Sequence, residues 1–224
     1  MRSLLALPFL VLATTGQCQL AGRTSIGGGI GLAIPTGQFQ DTWGRNLFNI
    51  NGHLGVPMGL LPFQTGFAFD YSQMGSHDQV VPIAISGVDA TEADLRVKAK
   101  VLSYHPLLRF NPLRGKVRPY VDGMVGMRHF TTKSRVTVDG LEEPVRRERN
   151  SSDLVFSSGW AVGLMYGLGS MGYIEARVAR FNSGKTTYVD PGSIVVNDQG
   201  NIAFNTLSSN TDVVHVTLGI GLSF

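Results

Sequence analysis

The stretch that decides the fold is Asp212 to Phe224, DVVHVTLGIGLSF. Val214, Val216, Leu218, Ile220, Leu222 and Phe224 share one parity, and Val213, His215, Thr217, Gly219, Gly221 and Ser223 share the other. A period of two puts these sets on opposite faces of a strand, whereas the helical period would mix them. One face is greasy, and the other is small or polar.

Seven upstream segments repeat the alternation. They are Thr24 to Ile34, Asn46 to Val56, Phe63 to Gln73, Asp94 to Phe110, Arg118 to Phe130, Phe156 to Leu168 and Gly172 to Asn182. With the last strand they make eight. An even number is what an antiparallel barrel with both ends on one side requires. The links alternate. Pro57 to Pro62, Asn111 to Val117 and Gly169 to Met171 are short and rich in Gly, Pro, Asn or Ser, the residues of tight turns. Pro35 to Arg45, Met74 to Ala93, Thr131 to Val155 and Ser183 to Thr211 are long. Short turns on the periplasmic side and long loops outside are the pattern of a transmembrane barrel.

The competing architecture is a soluble β-sandwich or lipocalin-like barrel, whose polar face would meet water. The second faces here carry mostly Gly, Ala and a few charges, with little Lys, Glu, Thr or Ser spread along them. The expected fold is therefore all-β: an eight-stranded antiparallel transmembrane up-and-down barrel.

Charged residues are 16% of the 224, Gly numbers 28 and the net charge is +3. Neither a disordered chain nor a multi-pass helical protein has this composition, and the basic residues form no run that would imply nucleic acid. Arg2 and the apolar run Leu4 to Ala13 read as a signal peptide, too short to span a bilayer. Residues 1–18 are expected to be cleaved, leaving 19–224 as the barrel; cleavage after Ala21 competes. Cys18 also has a reading as a lipidated cysteine, against which Gln17 is a poor fit. Without Cys18 no thiol remains for a disulfide or zinc site.

The chain resembles the small OmpA/OmpX-type outer-membrane β-barrel family, especially variants common in Bacteroidota. The likeness rests on GGGIGLAIPTGQF (Gly27 to Phe39), RPYVDGMVGM (Arg118 to Met127), YIEARVARF (Tyr173 to Phe181) and the terminal Phe224. It implies the bacterial outer membrane with periplasmic termini, lipopolysaccharide as surroundings, and Phe224 as a C-terminal signal for the barrel-assembly machinery. Members differ in role, so fold alone does not carry function.

Within the strands, the alternation assigns Asp70, Arg96, Lys98, Lys100, Asp122, Arg128, Glu175 and Arg177 to the interior, five basic and three acidic. An eight-stranded barrel is just wide enough for side chains to fill it. The set therefore reads as a salt-bridged plug, with the basic excess open to an anion or a loop carboxylate such as Asp94. A charged permeation path is the alternative. Trp43, Tyr71 and Trp160 near the loop-side ends, with Phe63 and Phe110 near the turns, read as aromatic girdles.

The five histidines form no metal-binding pair, and no cofactor is expected. His129 with Ser134, Ser151, Ser152 and Asp153 could meet at the rim, but no G-x-S-x-G nucleophile motif occurs, so no enzyme is expected. The basic residues of Thr131 to Val155 could hold lipopolysaccharide phosphates or an acidic protein surface. The expected role is structural or interactive, with an accessory place in a larger secretion or uptake complex among its forms. A minor porin and a lipid A-modifying enzyme are the alternatives.

Overall fold

The computed structural model describes residues 23–59, 61–82, 92–113, 115–137, 146–190, 193–196 and 202–224. The expected signal segment lies outside them. In chain order the elements are β1 (Ser25–Pro35), α1 (Gln38–Trp43), β2 (Leu47–Pro57), β3 (Phe63–Pro82), β4 (Glu92–Phe110), β5 (Val117–Thr137), β6 (Arg146–Leu168), β7 (Gly172–Ser183), β8 (Lys185–Val189), β9 (Val195–Val196), β10 (Ile202–Ala203), β11 (Thr206–Asn210) and β12 (Val213–Ser223). Eight of these close into an antiparallel barrel in the order β1-β12-β7-β6-β5-β4-β3-β2.

Closure is made by β1 and β12, which pair from Ser25↔Ser223 through Ile30↔Leu218 to Pro35↔Val213. No barrel edge is left open, so the strand N–H and C=O groups are satisfied without water, as a membrane requires. The tight turns sit at the end where β1 starts and β12 finishes. Gly59 (φ 60°) and Gly169 (φ 68°) occupy left-handed conformations there that a side chain would strain.

The polarity of the barrel runs opposite to that of a soluble protein. Ile30, Phe48, Phe67, Val125, Trp160, Val178 and Leu218 point outward and are exposed, Leu218 at 69%. Asn49, Asn51, His53, Asp70, Asp122, Glu175, Arg177 and Thr217 point inward and are buried. An apolar belt of this extent far exceeds the patches monomeric soluble proteins leave in water. Hydrocarbon is the solvent that suits it.

Strand lengths correct the expected loops. β3, β5 and β6 run well past the segments read from sequence, while β4 begins only two residues earlier, so much of Met74 to Ala93 and Thr131 to Val155 is strand rather than loop. In this upper part the polarity reverts. Leu95, Val97 and Val136 are buried inside and pack with Val189, Ile194 and Phe204, while Arg96, Lys98, Lys133 and Arg135 lie exposed outside. Outside the bilayer the outer face meets water, so the apolar residues must turn inward.

A cap closes the upper mouth. It combines α1 with the β8–β11 hairpin and the β9–β10 pair. Asp153 on β6 accepts hydrogen bonds from Thr186 Oγ1 (2.6 Å) and the Thr187 N–H (2.9 Å), which fasten β8 to the rim. Tyr188 enters the mouth and meets Phe39 and Trp43 edge-on at ring separations of 5.6 and 6.0 Å. Burial pushes the Tyr188 phenol above its ordinary pKa. The expectation of an aromatic girdle fails for Trp43. It is buried in this cap instead, because a six-residue helix turns it inward onto Tyr188.

Candidate functional site

The membrane-depth interior is built by β2, β3, β4, β5, β7 and β12, whose inward parity brings charged residues from separate strands into one layer. Asp122 is its centre. Arg109 Nε and Nη2 donate to its two carboxylate oxygens at 2.7 and 3.0 Å, the two-pronged geometry that makes guanidinium–carboxylate pairs strong. Arg177 Nη2 approaches the same carboxylate at 3.5 Å. The Arg109 guanidinium lies 3.7 Å from the centroid of the Tyr120 ring, and the Tyr120 hydroxyl donates to Glu175 Oε1 at 2.6 Å. Glu175 also faces Arg109 at 3.8 Å and His53 at 3.8 Å, and His53 Nε2 lies 3.1 Å from the Tyr173 hydroxyl.

Small residues make room for this layer. A Cβ on Gly163 would come 2.2 Å from the Tyr120 ring, so glycine there admits the tyrosine to the centre. One layer up, His215 Nδ1 and Asp70 Oδ1 are 3.1 Å apart. Phe181 separates His215 from His105, stacking on the latter at 4.7 Å. Arg128 closes the top, donating to Ser183 Oγ at 3.2 Å and to the Thr211 carbonyl.

Of the residues that alternation assigned to the interior, Asp70, Asp122, Arg128, Glu175 and Arg177 are buried there. Arg96, Lys98 and Lys100 are not, and that assignment is corrected: they stand on the outer face of β4, with Leu95, Val97, Ala99 and Val101 inside. The greasy residues of the upper half of β4 face the cap core rather than lipid, which places the cations between them outside. Arg109 was missed. Its signal was present, because Phe110, Leu108, Tyr104 and Leu102 at the turn end are apolar and of even number, which puts 109 and every odd position inside. With Arg109 counted, the buried charges among the described residues are three carboxylates (Asp70, Asp122, Glu175) and three guanidiniums (Arg109, Arg128, Arg177). The basic excess expected from sequence disappears, and with it the case for an anion inside.

At the belt, Trp160 is exposed on the outer face, Tyr71 is half-buried on it, and Phe63 packs against Phe110 at 5.2 Å beside the turns. Phe224 is exposed at the turn end, its N–H bonded to the Thr24 carbonyl at 3.0 Å. On the outer rim, β5 and β6 bring His129 Nε2 within 2.9 Å of Ser152 Oγ and 3.3 Å of Thr131 Oγ1. Asp153, next along the chain, is engaged by Thr186 and Thr187 on the cap side. No group of three or more His, Cys, Asp or Glu among the described residues is arranged to hold a metal.

No protein-family model matches this chain, and no curated protein sequence matches it. Solved structures do. A major outer membrane protein from Thermus thermophilus aligns with a TM-score of 0.53 at 12% identity, over 92% of this chain and 100% of that one. The outer membrane protein OprG from Pseudomonas aeruginosa aligns with a TM-score of 0.50 at 15% identity, over 91% of this chain and 96% of that one. At such identities the likeness concerns architecture alone: this chain has the closed eight-stranded fold of small outer-membrane barrels.

Proposed function

We propose that this chain is an integral protein of a bacterial outer membrane whose barrel is a closed anchor. On this proposal it presents the α1/β8–β11 cap outside and acts through interaction, as a structural component or an accessory subunit of a larger envelope complex. Its chain ends are placed on the periplasmic side, with Phe224 read by the assembly machinery. The observation that carries closure is the Arg109–Asp122–Arg177 centre with Glu175 and Tyr120. Arg109 holds Asp122 from the neighbouring strand, Arg177 and Glu175 reach that pair from β7 at 3.5 and 3.8 Å, and the Phe181, His105 and Arg128 layer lies above it. A water-filled conduit would need these side chains apart.

Planar-bilayer recording on the refolded full chain tests this reading against the porin. No steady unit conductance is expected. Reproducible conductance steps that scale with salt would overturn it. A pull-down from gently solubilised outer membranes addresses the accessory role: a co-purifying envelope partner supports it, and a chain recovered alone argues for a self-sufficient anchor.

A second reading, a lipid-modifying enzyme, has one contact in its favour, the 2.9 Å His129–Ser152 pair, which has the spacing of a base and its nucleophile. Against it stands the commitment of Asp153 to β8, which leaves that carboxylate unable to orient the imidazole. Ser152→Ala and His129→Ala are expected to leave the lipid A profile of the host unchanged. Loss of a deacylated or acyl-shifted species in either variant would make the enzyme the better account.

A further inference from the structure

The outer faces of β4 and β5 carry like charges directly opposite one another. Register sets Arg96 against Arg135 and Lys98 against Lys133, with Lys100 against Thr131 one step nearer the belt. Facing like charges on neighbouring strands destabilise a sheet unless something answers them. Among residues whose side chains are described, carboxylates reach only the upper border: Asp78, bonded to Arg96 at 3.2 Å, and Asp94, one outward position farther up β4. The rows are not flat. Arg96, Lys98, Lys100, Lys133 and Arg135, with Tyr71 and Gln73 from β3, line a groove of about 530 Å³.

Depth identifies the occupant. The lipid-facing positions of β4 run from Phe110 to Leu102, nine residues, and about 9–11 tilted residues cross the hydrocarbon. Lys100 is the next outward position, so the groove opens where hydrocarbon gives way to head groups. Just below it, Tyr104 and Phe69 pair at 5.5 Å on the same outer face. A ligand lying here would have acyl chains along the belt and anionic groups among the lysines.

We propose that this groove binds the phosphate groups of a phosphorylated glycolipid of the outer leaflet, with Lys98, Lys100 and Lys133 as the principal contacts. The lipid supplies the charge that the facing cations lack, and it holds the extended β3–β6 hairpins against the membrane surface. The inference rests on the outer-membrane reading above.

The test uses the refolded full chain in detergent micelles, with bisphosphorylated lipid A, its dephosphorylated form and a soluble sulfated oligosaccharide as probes. Binding is read by native mass spectrometry, and folding by heat-modifiable gel migration in the same samples. The triple variant Lys98→Gln, Lys100→Gln, Lys133→Gln is compared with Arg180→Gln, an exposed cation on β7 away from the groove. Retention of phosphorylated lipid A is expected to fall about a hundredfold in the triple variant, at roughly a factor of five per surface cation. It is expected to be unchanged in Arg180→Gln, with weak binding of the dephosphorylated form throughout. Equal binding by the triple variant, equal binding of the dephosphorylated lipid, or preference for the soluble oligosaccharide would each overturn the proposal. Loss of heat-modifiable migration in the unsubstituted chain would instead refute the membrane-barrel reading itself.

Discussion

Asp122 shows how much one buried residue can hold. Its carboxylate takes two hydrogen bonds from Arg109 and faces Arg177. Removing it leaves two guanidiniums without their shared carboxylate; the neighbouring Glu175 is already bonded to Tyr120 and Asp70 to His215. Breaking one side of a buried ion pair typically costs about 3–5 kcal/mol. Asp122→Ala is therefore expected to lower unfolding stability in lipid vesicles by about that amount, measured by urea titration of Trp fluorescence. Arg96→Ala removes an exposed pair with Asp78 and is expected to change stability by less than about 1 kcal/mol. If the two variants were equally mild, Asp122 would not be the interior hub. Gly163 belongs to the same argument: Gly163→Val would displace Tyr120 and break its bond to Glu175, so a loss comparable to that of a core overpacking, about 1–3 kcal/mol, is expected in the same titration.

At the scale of the element, the same alternation means different things at different depths. On β12, Leu218 sits mid-strand on the outer face, exposed at 69%. In a water-soluble barrel a lysine there would be harmless. At the bilayer midplane it costs about 2–4 kcal/mol, so Leu218→Lys is expected to destabilise the folded state in vesicles by that order, and Lys98→Leu, at head-group depth, is expected to be far milder. Similar effects at both sites would contradict a lipid-facing belt. β4 shows why depth was hard to read. Its period of two is plain in the sequence, but a period does not say which parity faces lipid. Leu95, Val97, Ala99 and Val101 are greasy because they face the cap core, and Leu102, Tyr104, Leu108 and Phe110 are greasy because they face the bilayer. Both sets lie on one strand in opposite parity, and only the second identifies Arg109 as an interior residue.

For the whole molecule, the barrel and its cap are two layers of stability with different solvents. The cap rests on Tyr188, Phe39, Trp43, Phe130 and the Asp153 bonds to β8, while the barrel rests on closure and the interior ion pairs. Replacing residues 185–210 by a short Gly/Ser linker should expose the mouth to protease and lower the thermal midpoint of the upper hairpins. The membrane-depth barrel should keep its heat-modifiable migration. Collapse of the barrel in that variant would show that the cap is part of one cooperative unit.

What the chain determined by itself was local: eight segments of period two, turn residues between them, and an outer face too greasy for water, all set by neighbouring positions along one strand. What the tertiary structure alone decided was which charges meet. Arg109 and Asp122 face each other across the β4–β5 hairpin, but Glu175 and Arg177 reach them from β7, two strands beyond β5 in the sheet, because the sheet curls into a closed barrel. The pairing of β3 to β6 with one another carries those strands above the hydrocarbon, and so decides on which side of that boundary Lys98, Lys100 and Lys133 stand.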